Sequence, residues 1–132
     1  MTPAGTARAA RDRGSTSLEL VVIFPAVLLV IFAVVQGALY YFASSSALAA
    51  AQEGARTAAG ENSSAAAGQQ AAGAFSARVA GNMLQTPGVV ASRTATTATV
   101  TVSGHSLSVL PGFAGIGISQ TASVPVERLT GG

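Results

Sequence analysis

From Leu18 to Phe42 the chain is apolar, interrupted only by Glu19, Gln36 and Gly37, and this run dominates the hydropathy pattern. Between Leu20 and Ala43, fifteen residues are Leu, Ile, Val or Phe. On an insertion scale they favour entry into a bilayer by roughly 4 to 9 kcal/mol, which one Gln, one Pro and one Gly do not overturn. As a helix, the segment spans about 36 Å, enough to cross a hydrocarbon core. Tyr40 and Tyr41, near its far end, fit an interfacial anchor. Pro25 cannot donate a hydrogen bond to the Val21 carbonyl, so a kink or local loosening is expected there. Two readings of Pro25 stay open: an ordinary transmembrane kink, or a flexible point used when the segment leaves the bilayer.

The pattern predicts that this helix continues past the apolar run. Ser44–Ala59 is rich in Ala, the best helix former, with Gln52, Glu53 and Arg56 as polar punctuation. Gly60 offers a stop, and Glu61-Asn62-Ser63-Ser64 reads as a turn or a helix start. Ala47, Ala51, Gly54 and Ala58 form a small-residue stripe, which lets helix backbones approach closely unless it only reflects Ala-rich composition. A second helix is expected over Gln69–Leu84, with Phe75, Val79, Met83 and Leu84 on one face, ended by Thr86-Pro87-Gly88. Thr94–Ser103 is rich in β-branched residues and reads as a strand. Ser106–Leu110 reads as a second short strand, Pro111–Gly117 as a loop, and Ile118–Leu129 as a final strand that Pro125 pushes toward a sheet edge. The expected core is Phe75, Val79, Met83, Val89, Val100, Val102, Leu107, Val109, Phe113, Ile116, Ile118, Val124 and Val126. Such a core is thin, so packing against the long N-terminal helix or against neighbours is expected.

The fold class is therefore α+β: a long N-terminal transmembrane helix extended outside the membrane, then a second helix and a small antiparallel β-sheet. Its expected parts are a basic cytoplasmic leader at 1–14, a transmembrane helix at 15–43, a helix extension at 44–60 and a small extracytoplasmic α+β domain at 61–132.

Charge sharpens this picture. The 132 residues are 49% hydrophobic and only 9% charged, with no Lys, Cys or Trp. Without Cys there is neither a disulfide framework nor a thiolate metal site. Residues 1–14 carry Arg8, Arg11 and Arg13 against Asp12, a net of +2. Residues 15–132 balance Arg56, Arg78, Arg93 and Arg128 against Glu19, Glu53, Glu61 and Glu127. The excess positive charge thus lies wholly upstream of the apolar run, which favours a cytoplasmic N-terminus and an outer C-terminal part. It is not a phosphate-binding surface, so no nucleic-acid partner is expected.

No catalytic constellation emerges, and no enzyme is expected. A Ser-His-Asp set needs its members on one side of the membrane, but His105 lies after the span and Asp12 before it. Nothing in the sequence places Glu61 or Glu127 beside His105, which reads as a lone solvated side chain near a turn. One His and four scattered Glu after Gly14 give no metal site. Gly112, Gly115 and Gly117 lack the Lys-Ser/Thr of a phosphate loop and the context of a dinucleotide site. No cofactor is expected. Asn62-Ser63-Ser64 matches a glycosylation acceptor triplet without supporting context.

Glu19 is the residue that needs a reason, because a carboxylate at the mouth of a membrane-grade segment is costly. It lies five residues after Gly14. If a peptidase at the inner face cuts after Gly14, the new terminus is the amine of Ser15, one helical turn from Glu19. The carboxylate can then pair with that amine near the positive end of the helix, or with the amine of an adjacent subunit. Either pairing offsets the cost of a charge in an apolar setting, and the second fixes the register between helices. The alternative is a Glu19 resting in the headgroup region of a plain transmembrane helix.

Arg13-Gly14-Ser15-Thr16-Ser17-Leu18-Glu19-Leu20, then Pro25, then the Ala-rich Ala49–Ala59 with Glu53, Gly54, Ala55 and Arg56, resembles the TadE-like pseudopilins, minor subunits of tight-adherence (Flp-type) pilus systems. The resemblance is strongest over residues 11–60 and continues weakly in Ala122–Arg128. Leu18 departs mildly from the Val or Ala usual before the acid. The resemblance implies cleavage between Gly14 and Ser15 by a prepilin peptidase. It also implies insertion in the inner (cell) membrane with the C-terminal part outside, and a structural or assembly role. The implied partners are the peptidase, other pilins and pseudopilins, the pilus assembly platform and membrane lipid. Two other readings stand beside it: a secreted protein whose signal peptide is cut near residues 43–47, and an uncut single-pass protein whose outer domain binds a partner.

Overall fold

The computed structural model describes the backbone of residues 3–127 and the side chains of residues 16–127. Its elements follow the α+β order expected. Helix α1 spans Pro3–Ala59, helix α2 spans Ala65–Val79, and strands β1 (Leu84–Arg93), β2 (Thr97–Ser106) and β3 (Gly117–Pro125) form one antiparallel sheet in the order β1-β2-β3. The chain divides into two compact units, Met1–Val35 and Gln36–Gly132. In the first, every described residue from Thr16 to Val35 is exposed.

In the second unit, α1 gives way at Gly60, and Asn62 adopts a left-handed φ of 59° that turns the chain. Ser64 caps α2, its Oγ accepting from the Ala67 N–H at 3.1 Å. Helix α2 begins and ends earlier than Gln69–Leu84, because Gly81 takes a φ of 53° and a single 3-10 turn, Gly81–Met83, leads straight into β1.

The strands correct the sequence reading in three places. Leu84–Arg93 is a strand rather than a helix end and a turn. Its Thr-Pro-Gly reads as a stop in sequence, but it forms an irregularity between Gln85 and Gly88, with Thr86 at a φ of 46°. The central strand starts at Thr97 rather than Thr94, because the Thr94 hydroxyl accepts from the N–H groups of Thr96 and Thr97 and closes a hairpin turn. Ser106–Leu110 is not a strand: β2 ends at Ser106, and 107–110 is loop. The final strand runs Gly117–Pro125 on a sheet edge, and Arg128 and Leu129 of the expected span lie outside the described residues.

One face of the sheet is the core. Ala98, Val100 and Val102 on β2, Leu84 on β1 and Ile118 on β3 are buried. Opposite them lie the methyls of Ala43, Ala47, Ala50, Ala51 and Ala55 on α1 and Ala72 on α2, with Phe75, Val89 and Val124 partly buried around them. The expected core members Val79, Met83, Phe113 and Ile116 are instead exposed. Small residues displace them because they bring the backbones together. A Cβ on Gly54 would meet the Ala72 Cβ and the Gly68 carbonyl oxygen, each at 2.7 Å. One on Gly68 would meet the Ala58 Cβ at 2.5 Å. Within the stripe Ala47, Ala51, Gly54, Ala58, it is Gly54 and Ala58 that make a close crossing of α1 with α2, while Ala47 and Ala51 are buried in the core. Each buried methyl contributes about 0.8 kcal/mol, so this core is made of many small terms.

The other sheet face is polar. Thr99 and Thr101 on β2 meet Ser123 and Thr121 on β3 through hydroxyl pairs at 3.0 and 2.9 Å.

Candidate functional site

Two places along α1 carry polar groups inside the apolar pattern, and the structure treats them differently. The first is the N-terminal part. Thr16–Ala59 contains a stretch of mean hydropathy 3.0, none of it buried within the chain, so α1 is long and apolar enough to cross a membrane. Glu19 is exposed on this helix, between Leu18 and Leu20, which are 70% and 59% exposed. Gly14 and Ser15 lie within α1, and the side chain of Ser15 is outside the described residues, as are those of Arg8, Arg11, Asp12 and Arg13. Because α1 is helical from 15 to 19, Ser15 and Glu19 are one turn apart on one face, and a helical side chain leans toward the N-terminus.

Pro25 sits inside α1, which runs through it. It borders a shallow apolar surface with Leu20, Val21 and Phe24. The ring leaves the Val21 carbonyl without its usual intrahelical donor.

The second place is Gln36, which sequence reasoning passed over as a mere interruption of the apolar run. It is buried, at 6% exposure, and its amide is used at both ends. Nε2 donates to the Leu107 carbonyl at 3.0 Å and reaches Ser106 Oγ at 3.4 Å, while Oε1 accepts from the Val109 N–H at 3.1 Å. Ser106 extends the network: its N–H donates to the Ile116 carbonyl at 2.9 Å, and its Oγ accepts from the Ile116 N–H at 3.0 Å. The base of the 107–116 loop is thereby fastened to α1. A carboxamide offers a donor and an acceptor side by side, so it pairs with a loop backbone as a neighbouring strand would. The available signal was its placement: one amide in an apolar helix must find partners.

The remaining ionisable groups do not converge. His105 is exposed, with Nδ1 3.3 Å from Thr86 Oγ1 on the polar side of the sheet. Glu61 is exposed in the turn after α1 and Glu127 is exposed just past β3, its N–H donating to the Ala59 carbonyl at 2.8 Å. Arg93 donates to the Ser63 carbonyl, tying the end of β1 to the start of α2. Among the described residues no group of three His, Cys, Asp or Glu is gathered as metal ligands would be.

Comparison with known proteins agrees with the resemblance read from the N-terminal segment. The model of a family described as TadE-like protein matches residues 14–56. The match takes in Gly14, Glu19, Pro25, Gln36 and Gly54, and stops before α2 and the sheet. No curated protein and no solved structure matches the chain.

Proposed function

We propose that this protein is a pseudopilin or minor pilin, a structural or assembly subunit of a Tad (Flp-type) pilus or a related secretion apparatus. The observation that carries the reading is the TadE-like match over residues 14–56, laid on a helix long and apolar enough to span a membrane. On this reading α1 anchors the chain in the inner membrane as a single pass, with residues 1–14 cytoplasmic and the sheet outside. A prepilin peptidase cuts between Gly14 and Ser15, and Glu19 becomes the fifth residue of the mature subunit. Its carboxylate pairs with a Ser15 amine, its own or a neighbour's, and Pro25 loosens the helix as the subunit passes from lipid into the assembly. The partners are the peptidase, other pilins and pseudopilins, the assembly platform and lipid. The chain works by packing rather than by catalysis.

The fold weighs against a signal peptide cut near residues 43–47. Such a cut removes Gln36 with its hydrogen bonds to the 106–109 segment, and takes Ala43 from the core. The deciding measurement is the N-terminal sequence and intact mass of the membrane-associated form made in the presence of the peptidase. A start at Ser15 is expected. A start near Ser44 in a soluble fraction would establish the signal peptide, and retention of Met1 or Thr2 would establish an uncut anchor. For the role of Glu19, the Glu19→Ala variant is expected to insert normally and to fail in assembly. Normal piliation by that variant would sink the pairing.

A further inference from the structure

The geometry points to a second membrane contact: the 107–116 loop lies in the interfacial layer of the bilayer at the side where α1 emerges. The inference rests on the proposed reading that α1 spans the membrane. Three features of the outer unit carry it.

The first is the loop's position. Gln36 fastens Leu107 and Val109 to the first turn of α1 that belongs to this unit. In the chain Gln36 is the first polar side chain after Glu19 in the apolar run, and a helix of residues 18–35 is about 27 Å long, close to the roughly 30 Å of a hydrocarbon core. The boundary of the bilayer therefore falls beside Gln36. Tyr40, Tyr41 and Phe42, exposed within the next two turns, are the aromatic residues expected at such a boundary.

The second is surface chemistry. The loop presents Phe113 and Ile116, 43% and 41% exposed, around a tight turn. That turn has Pro111 and Gly112 at its centre, Gly112 at a φ of 74°, and a hydrogen bond from the Phe113 N–H to the Leu110 carbonyl at 3.2 Å. No Asp, Glu, Lys or Arg occurs between Arg93 and Glu127, or between Glu19 and Glu53.

The third is the loop's backbone. A loop in water leaves its N–H groups to solvent, whereas one in a low-dielectric layer needs them bonded internally. Here five of the loop's nine N–H groups are bonded within the protein, Leu107 to the Met83 carbonyl, Val109 to Gln36 Oε1, Leu110 to Ser108 Oγ, Phe113 to the Leu110 carbonyl and Ile116 to Ser106 Oγ, while those of Ser108, Gly112, Ala114 and Gly115 are left to polar headgroups and interfacial water and Pro111 has none. A phospholipid surface fits the combination: an apolar tip, no charge, a backbone with about half of its N–H groups bonded within the protein, and a tether at the membrane exit.

The chain has no Trp, so a single introduced Trp reports its own surroundings. The full chain carrying Phe113→Trp is reconstituted in phosphatidylcholine–phosphatidylglycerol vesicles, with and without lipids brominated high on the acyl chain. Val30→Trp, within the apolar stretch, and Thr121→Trp, on the polar sheet face, serve as references. The expected result is a blue-shifted Phe113→Trp emission that loses intensity to brominated lipid, while Thr121→Trp emission stays red and unquenched. Emission from Phe113→Trp that matches Thr121→Trp, with Val30→Trp quenched, overturns the inference and leaves the span intact. A blue-shifted but unquenched Phe113→Trp overturns it in favour of protein covering the loop, a second copy included. If Val30→Trp is itself unquenched, the spanning reading has failed and this inference falls with it.

Discussion

One helix contains two kinds of surface. From Thr16 to Val35, α1 carries large aliphatic and aromatic side chains, all exposed. From Ala43 to Ala59 it carries Ala, Gly and Ser, and much of that surface is buried. Size and burial run opposite to the usual expectation that the largest apolar residues are inside. The contrast shows that the two halves answer to different surroundings. Large side chains suit a lipid environment that asks only for hydrophobicity. Small ones suit a protein crossing that asks for close backbone approach. The Ala-rich half also explains how so small a second unit holds together without disulfides: it takes part of its core from the long helix that enters it.

The sharpest way to break this comparison is to exchange the two chemistries. Gly54→Val places a branched side chain where even a Cβ meets Ala72 and the Gly68 carbonyl at 2.7 Å. Overpacking between backbones that cannot yield is expected to destabilise the second unit by about 3 kcal/mol or more. Pulse proteolysis of the full chain in detergent, across a denaturant series, reads that loss. A Leu29→Val change in the exposed N-terminal half serves as the matched control and is expected to leave the second unit's midpoint in place. An unchanged midpoint for Gly54→Val would show that the helices do not cross as closely as described.

How far the sequence foretold this arrangement follows from the range of the interactions. The long helix, its continuation past the apolar run and the α+β order were legible, because each rests on local composition and periodicity. The small-residue stripe was visible, though not its partner, since α2 is recognisable as a helix without revealing which face it offers. Strand β1 was hidden because Thr86-Pro87-Gly88 is the chemistry both of a turn and of an irregular edge strand, and only pairing with Ser103 and His105 on β2 separates them. Val79 and Met83 were assigned to the core by helical spacing, but the close crossing at Gly54 and Gly68 moved the core to the alanines. The cost of a charge beside an apolar run singled out Glu19 at once. Gln36 was passed over because its acceptor and donor lie 71 and 73 residues away.

Gln36 is also where the two halves of α1 meet, so its removal tests whether the boundary is structural. Gln36→Leu keeps the size and improves the hydropathy of the apolar run, yet strips the Val109 N–H and the Leu107 carbonyl of their partners. Fully buried backbone groups left without partners cost about 1 to 3 kcal/mol, and because the Leu107 carbonyl and Val109 N–H are only part-buried, a loss near the lower end, about 1 kcal/mol, is expected in the second unit. Hydrogen exchange gives the local reading: the Val109 amide is expected to lose protection while those of Val100 and Val102, in the middle of the sheet, change little. Equal loosening of all three would mean that Gln36 supports the whole unit and not the loop alone.

The smallest expected effect discriminates best. Gly37 and Gly54 lie on the same helix, but a Cβ on Gly37 meets nothing within 4 Å. Gly37→Ala therefore gains helix propensity without a clash, and a stabilisation of at most about 1 kcal/mol is expected from the same proteolysis assay. The sign separates two uses of glycine. A gain places Gly37 with the exposed, loosely packed surface of the comparison, where the residue is merely tolerated. A loss of stability would mean that this turn of α1 is packed as tightly as the crossing at Gly54, and the boundary between the two halves would move upstream of Gln36. If stability rises while the piliation proposed for this chain falls, the open space at Gly37 is a contact with another chain. Close-approach packing would then operate between chains as well as within one.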